Sequence, residues 1–295
     1  MTVRIGINPL TWTNDDLPEL GGETPLDVCL AEARQAGYAG MELGHKFPRK
    51  TAELRPILEK HGLALISGWY SAELLARSAA DEIRAVQDHF NLLADFGCTA
   101  MVFAEVTGCV HGQRDVPVVN RPRLRDDQWR EFGERMTEVG EHLLTRGVRI
   151  AYHHHMGTVV ETEEEIDRLM ANTGEAVGLL VDTGHLTYAG GDPLAVIRRH
   201  GKRIVHVHCK DVRPAVLADA KNRNRSFLDA VLDGVFTVPG DGSIDYRAVL
   251  RALKEVGYQG WLVVEAEQDP AVAHPLTYAT RGYQHLRQLV DEIGL

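Results

Sequence analysis

A (β/α)8 barrel is the fold class this sequence predicts, and three observations predict it. Eight short β-branched or apolar runs recur along the 295 residues, each too short for a buried helix. Helix-period stretches separate them, so strand and helix alternate along the chain. No GxGxxG follows any run, and residues 189–193 read as a loop before a helix, which disfavours an open doubly wound sheet.

In chain order the strands are expected at residues 3–10, 40–43, 64–69, 100–103, 149–152, 178–181, 204–207 and 261–264. Helices are expected at 24–36, 51–61, 80–96, 126–146, 162–172, 193–199 and 246–256, several opening on a Thr or Asp cap. Gly37, Gly62, Gly97, Gly147, Gly201 and Gly257 stand where helices stop, the place where a left-handed residue is least costly. Two connections are long, at about 105–124 and 211–245, the second with a helix expected at 226–232. On a barrel such connections lie over the C-terminal mouth and are more often functional than idle. The expectation is one barrel domain over 1–295 with two mouth loops.

Composition narrows the partners. A net charge of −10 opposes binding to nucleic acid or to an anionic membrane surface. No apolar run approaches the roughly 20 residues of a membrane span. The start, Met1-Thr2-Val3-Arg4-Ile5-Gly6, enters a strand without a signal-peptide profile, so a cytoplasmic location is expected. Cys29, Cys98, Cys109 and Cys209 are scattered and are expected to be reduced thiols. Neither a Rossmann nor a P-loop motif is present, which implies no NAD and no ATP. A homo-oligomer stays open.

Chemistry concentrates at the strand ends, which converge on one mouth in a parallel barrel. Those ends carry Asn8 and Trp12, Glu42 with His45 and Lys46, Trp69 with Tyr70, Glu105, His153 to His155, Asp182 with His185, His206 with His208 and Asp211, and Glu265 with Glu267. Side chains alternate along a strand, so the three consecutive histidines cannot all point inward. Carboxylate and imidazole supplied together suit one divalent transition metal, whereas an all-oxygen shell would suit Mg²⁺ or Ca²⁺. Mn²⁺ or Co²⁺ is the expected ion.

The segments Asn8-Pro9-Leu10-Thr11-Trp12, His45-Lys46-Phe47-Pro48, Tyr152-His153-His154-His155-Met156-Gly157-Thr158, Asp182-Thr183-Gly184-His185, His206-Val207-His208-Cys209-Lys210-Asp211 and Val263-Val264-Glu265-Ala266-Glu267 resemble the inosose dehydratase family, essentially end to end. That family sits among xylose-isomerase-like barrels. The resemblance implies metal ligands at Asp182, His208 and Glu265, with Glu267 the fallback for the last. His153 stands where the related epimerases carry a glutamate, and His155 remains the alternative to it. The implied reaction is loss of water from a cyclic polyol ketone, 2-keto-myo-inositol, giving a trihydroxycyclohexane-1,2-dione. A sugar isomerase or epimerase of the same superfamily is the alternative.

Such a dehydration needs a stabilised oxyanion, a base for the α proton and an acid for the departing hydroxide. Glu265 or Glu42 is the expected base, and His185, His206 or Lys46 the expected acid. Asn8, Trp12, His206 and Arg213 are expected to touch substrate. The basic residues of the mouth loops, Arg114, Arg121, Arg123, Lys210, Arg213, Lys221, Arg223 and Arg225, suggest a cationic lid, with Arg213 and Lys210 best placed for contact.

Overall fold

In the computed structural model, which describes residues 3–295, eight strands close a parallel barrel; Met1 and Thr2, on which the reading of the N-terminal start partly fell, lie outside the described residues. The chain runs β1 (Arg4–Ile7), α1 (Leu26–Ala36), β2 (Gly40–Leu43), α2 (Thr51–His61), β3 (Ala64–Ala72), α3 (Ala79–Asp95), β4 (Ala100–Glu105), α4 (Trp129–Leu144) and β5 (Arg149–His153). It continues through α5 (Glu163–Asn172), β6 (Val177–Asp182), α6 (Thr183–Ala189), α7 (Pro193–His200), β7 (Ile204–Cys209), β8 (Asp211–Val212), α8 (Pro214–Asn222) and α9 (Phe227–Leu232). It ends with β9 (Phe236–Thr237), α10 (Tyr246–Glu255), β10 (Trp261–Val264) and α11 (Pro275–Ile293). The barrel order is β1-β10-β7-β6-β5-β4-β3-β2.

All eight expected strands are barrel strands. The helices α6, α8 and α11 were not foreseen. Of the glycines expected to close helices, Gly37, Gly62, Gly97, Gly147 and Gly257 have positive φ. Gly201 does not: its φ is −47° and it opens a 3-10 turn. It is small for a different reason, since a Cβ there would meet Val256 Cβ at 2.5 Å.

Strand parity fixes what faces the barrel axis. Tyr152, Val181, Val207, Leu262 and Val264 join the main core between sheet and helices. Ala100, Val102, Ala151 and Leu180 pack together in a separate cluster, and Ile66, Trp261 and Val263 in another, which are the interior layers. The Trp261 indole fits because Gly6 and Gly40 approach it without side chains. Two residues along their strands from Gly40, Ala151, Leu180 and Val263, the same parity puts Glu42, His153, Asp182 and Glu265 at the mouth, and His208 stands two residues beyond His206, which reaches Glu42.

The segment 211–245 is a packed layer. The antiparallel β8–β9 ribbon, α8 and α9 bury Val212, Phe227, Leu228, Val231 and Phe236 in a cluster of their own. The segment 105–124 is tied to it by Arg114 to Asp229 at 2.9 Å and by the Val118 N–H donating to Arg225 O at 3.3 Å.

Close packing of α4 on the end of α5 gives a stability prediction. A Cβ on Gly133 would lie 2.0 Å from Asn172 O, a backbone atom that cannot step aside cheaply. Gly133→Ala is expected to destabilise the protein by about 1–3 kcal/mol, read as a lower denaturation midpoint; an unchanged midpoint would mean that the two helices separate freely.

Candidate active site

Four side chains from four adjacent strands, β5, β6, β7 and β10, meet at the mouth. His153, Asp182, His208 and Glu265 are all buried, and their ligand-type atoms lie within 4.8 Å of one another. His153 Nε2 and His208 Nδ1 are each 3.6 Å from Asp182 Oδ2, and His208 Nδ1 is 2.8 Å from Glu265 Oε2. Asp182 Oδ2, His208 Nδ1 and Glu265 Oε2 nevertheless have no hydrogen-bond partner. Three buried polar atoms left unsatisfied around one point are rare in folded proteins, and a cation among them removes the penalty. The cluster has the donor set of a divalent-metal site.

Neighbours set each ligand's free atom. The His153 Nδ1–H donates to His154 O at 2.7 Å, which leaves the Nε2 lone pair toward Asp182. Asp182 Oδ1 caps α6 by accepting from His185 N at 2.8 Å, so Oδ2 is the free oxygen. His208 Nε2 contacts Glu42 at 3.2 Å, directing Nδ1 to the cluster. His154 has the opposite parity, and its Nε2 accepts from Asp182 N at 3.2 Å, tying β5 to β6.

Electrostatics agree with this arrangement. Burial alone would raise the Glu42 carboxyl, but His208 and His206 against it outweigh that and hold it down to about 2. Burial would lower His208, yet Glu265 and Glu42 pull it well above the ordinary histidine value. Excess negative charge thus draws a proton onto the cluster, the place a divalent ion would take. Burial lowers His153, His155 and His185 well below the ordinary value, keeping them neutral.

Glu42 receives Asn8 Nδ2 at 2.8 Å and His206 Nε2 at 2.8 Å besides His208. Glu42→Gln is therefore expected to weaken metal binding about 10–100-fold by loosening His208. Competition with a chromophoric chelator measures this, and unchanged affinity would show that Glu42 does not orient the ring.

Beside the cluster opens a cavity of about 270 Å³. Asn8, Glu42, His208 and Glu265 line it, as do Trp69, Ser71, His155, Glu267, Asp16 and His111. Trp69 forms an apolar wall whose ring centroid is 5.5 Å from those of His153 and His155. Asp16 and His111 come from loops, 3.8 Å apart across the rim; no periodicity marks such positions, and a polar residue shortly after a strand end was the one usable signal. Burial pushes the Glu267 carboxyl up to about 7.

Other expected residues go elsewhere. The Trp12 indole is buried and donates to Glu32 at 2.6 Å. Lys46 Nζ donates to the carbonyls of Gly21 and Gly22, at 3.0 and 2.7 Å, closing the β1–α1 connection. Arg213 does not line the cavity: it donates to Gly234 O at 2.8 Å and pairs with Asp241 at 2.7 Å, bracing the mouth ribbon. Glu105 accepts from the N–H groups of Leu74 and Thr107. Of the lid arginines, Arg121 pairs with Glu165 and Arg225 with Asp233, while Arg123 donates to Val119 O at 3.2 Å. Of the mouth-loop cations, Lys210 alone reaches the cluster, its Nζ 3.1 Å from Glu265 Oε2.

Comparison with known proteins agrees with this architecture. The family described as Xylose isomerase-like TIM barrel matches residues 30–289. The chain is 53% identical to the Rhizopine catabolism protein MocC of Rhizobium meliloti, over 100% of this chain and 90% of that one. It is 44% identical to an Inosose dehydratase of Geobacillus thermodenitrificans, over 97% of both chains. Among solved structures, an L-ribulose 3-epimerase superposes with a TM-score of 0.70 at 17% identity, over 99% of this chain and 95% of that one, a likeness of fold. This chain, with the closed barrel and the mixed imidazole–carboxylate cluster at its mouth, belongs to the xylose isomerase-like TIM barrel family, alongside relatives named inosose dehydratase.

Proposed function

We propose that this protein is a metal-dependent hydro-lyase that removes water from 2-keto-myo-inositol to give a trihydroxycyclohexane-1,2-dione. The single observation that carries the reading is the set of three orphaned buried ligand atoms beside a polar cavity, in a chain 44% identical to a named inosose dehydratase. His153, Asp182, His208 and Glu265 would hold the metal; two nitrogens and two carboxylates suit a divalent transition ion, and Mn²⁺ or Co²⁺ is the proposed one. When bound, such an ion supplies Lewis acidity for the oxyanion that forms as a ketone loses its α proton.

The chain's own groups do the rest. His155 donates its Nδ1–H to Met156 O at 2.9 Å and so keeps a lone pair on Nε2, inside the cavity. A neutral imidazole there is the base for the α proton. Glu267 lines the same cavity and, raised toward neutrality by burial, carries a proton for the departing β-hydroxide. Asn8, Asp16, His111 and Ser71 offer donors and acceptors to the ring hydroxyls, and Trp69 offers a face to the ring C–H groups. The enol left after loss of water tautomerises to the second ketone.

The test is direct. Metal-loaded protein incubated with 2-keto-myo-inositol is expected to generate the ultraviolet absorbance of a dione. Chelation should abolish it, and Mn²⁺ or Co²⁺ should restore it. An isomeric ketose formed without ultraviolet change would instead establish the isomerase or epimerase reading.

A further inference from the structure

Lys210 sits between β7 and β8 with its side chain turned back across the mouth, fully buried. Gly184 makes room for it, since a Cβ there would lie 2.6 Å from Lys210 Cγ. The ammonium Nζ lies 2.9 Å from His185 Nε2, 2.6 Å from Glu267 Oε2 and 3.1 Å from Glu265 Oε2. The ammonium thus hydrogen-bonds to His185 and Glu267 and pairs by charge with Glu265. The first two belong to a second set of ligand-type residues. His155, His185 and Glu267 are all buried and present atoms within 4.8 Å of one another.

We propose that the Lys210 ammonium is a built-in substitute for a second metal ion. It fills a latent metal site formed by His155, His185 and Glu267, with Glu265 as the edge shared with the first site. Charge supports the assignment. Asp182, Glu265 and Glu267 place three carboxyl groups within 3.9 Å of Nζ. Once Glu267 has given up its proton, one divalent ion and one ammonium balance them. A pair of imidazoles and a carboxylate would otherwise be an attractive site for a second transition metal. The ammonium occupies that volume, but it holds its position by donating protons and leaves the His155 lone pair unclaimed. A second divalent ion there would take the lone pairs of both His155 and Glu267, and the site could no longer move protons through them. Lys210 therefore fixes the metal count at one, a consequence independent of which substrate the enzyme takes.

Metal counting tests this without reference to turnover. Wild-type protein dialysed against excess Co²⁺ is expected to retain one ion per chain by elemental analysis. Lys210→Ala and Lys210→Met, with the ammonium gone, are expected to retain two. Lys210→Ala combined with Glu267→Gln should return to one, because the latent site has then lost its own carboxylate. Two ions in the wild type, or one in a folded Lys210 variant, would overturn the proposal. Removing Lys210 leaves buried carboxylates uncompensated, so a variant can unfold without metal. The proposal then requires Co²⁺ to refold it with two ions bound, and a variant that stays unfolded in excess Co²⁺ contradicts it equally.

Discussion

Asp182→Asn is expected to cost about three decades of turnover and to abolish tight metal binding, while leaving the fold intact. The two halves of that statement come from the two oxygens of one carboxyl. Oδ1 caps α6 by accepting from His185 N at 2.8 Å, and an amide oxygen performs the same duty. Oδ2 is buried, has no hydrogen-bond partner and faces both His153 and His208 at 3.6 Å. Replacing it with an NH₂ removes a negative ligand and points a donor at the cation. A metal acting as Lewis acid contributes several kcal/mol to proton abstraction next to a carbonyl, and roughly 4 kcal/mol corresponds to about 10³-fold in rate. Metal analysis, an unaltered circular dichroism spectrum and the dione assay check the three parts. Wild-type turnover by a metal-free Asp182→Asn protein would remove the cluster from the reaction.

The second large effect separates proton transfer from metal binding. His155→Gln is expected to lower kcat by about 10²–10⁴-fold, the usual contribution of a positioned base, with metal affinity unchanged. His155 has the same strand parity as His153, but its place beyond the end of β5 puts it in the cavity wall instead of the metal cluster. Its free nitrogen is Nε2, because Nδ1 donates to Met156 O. Burial lowers its pKa well below the ordinary histidine value, which favours the neutral ring with the Nε2 lone pair free. A glutamine fills similar space and cannot accept the proton. If His155→Gln lost metal along with turnover, His155 would be a ligand; if kcat were unchanged, the base would lie elsewhere, with Glu265 the next group to test.

The barrel was legible because its signal is repeated. Eight short apolar or β-branched runs, separated by helix-period stretches, admit few topologies, and the interior parity that carries Gly40 to Glu42 or Leu180 to Asp182 follows from the strands alone. The same parity placed His153, Asp182, His208 and Glu265 among the polar strand ends at the mouth, while singling them out from His155 and Glu267 came from the resemblance to the inosose dehydratase family. Three kinds of information were not in the pattern. One is what a polar side chain chooses when several acceptors are near: Lys46 and Arg213 look like mouth cations in the sequence, yet their charges go to backbone carbonyls and to Asp241. Another is the position of loop residues, where no period applies, so Asp16 and His111 meet only in space. The last is order within a long insertion. The segment 211–245, read as a lid, is held by its own apolar cluster around Phe227 and Phe236, whose contacts depend on the β8–β9 pairing.

The measurement that bears most directly on the whole account is a titration of chelator-treated protein with Mn²⁺ or Co²⁺ in the presence of saturating 2-keto-myo-inositol, followed by dione absorbance. Dione formation is expected to rise from the baseline and to break sharply at one equivalent of metal per chain. Full dione formation before any metal is added, or a fully metal-loaded protein that forms none, would contradict it.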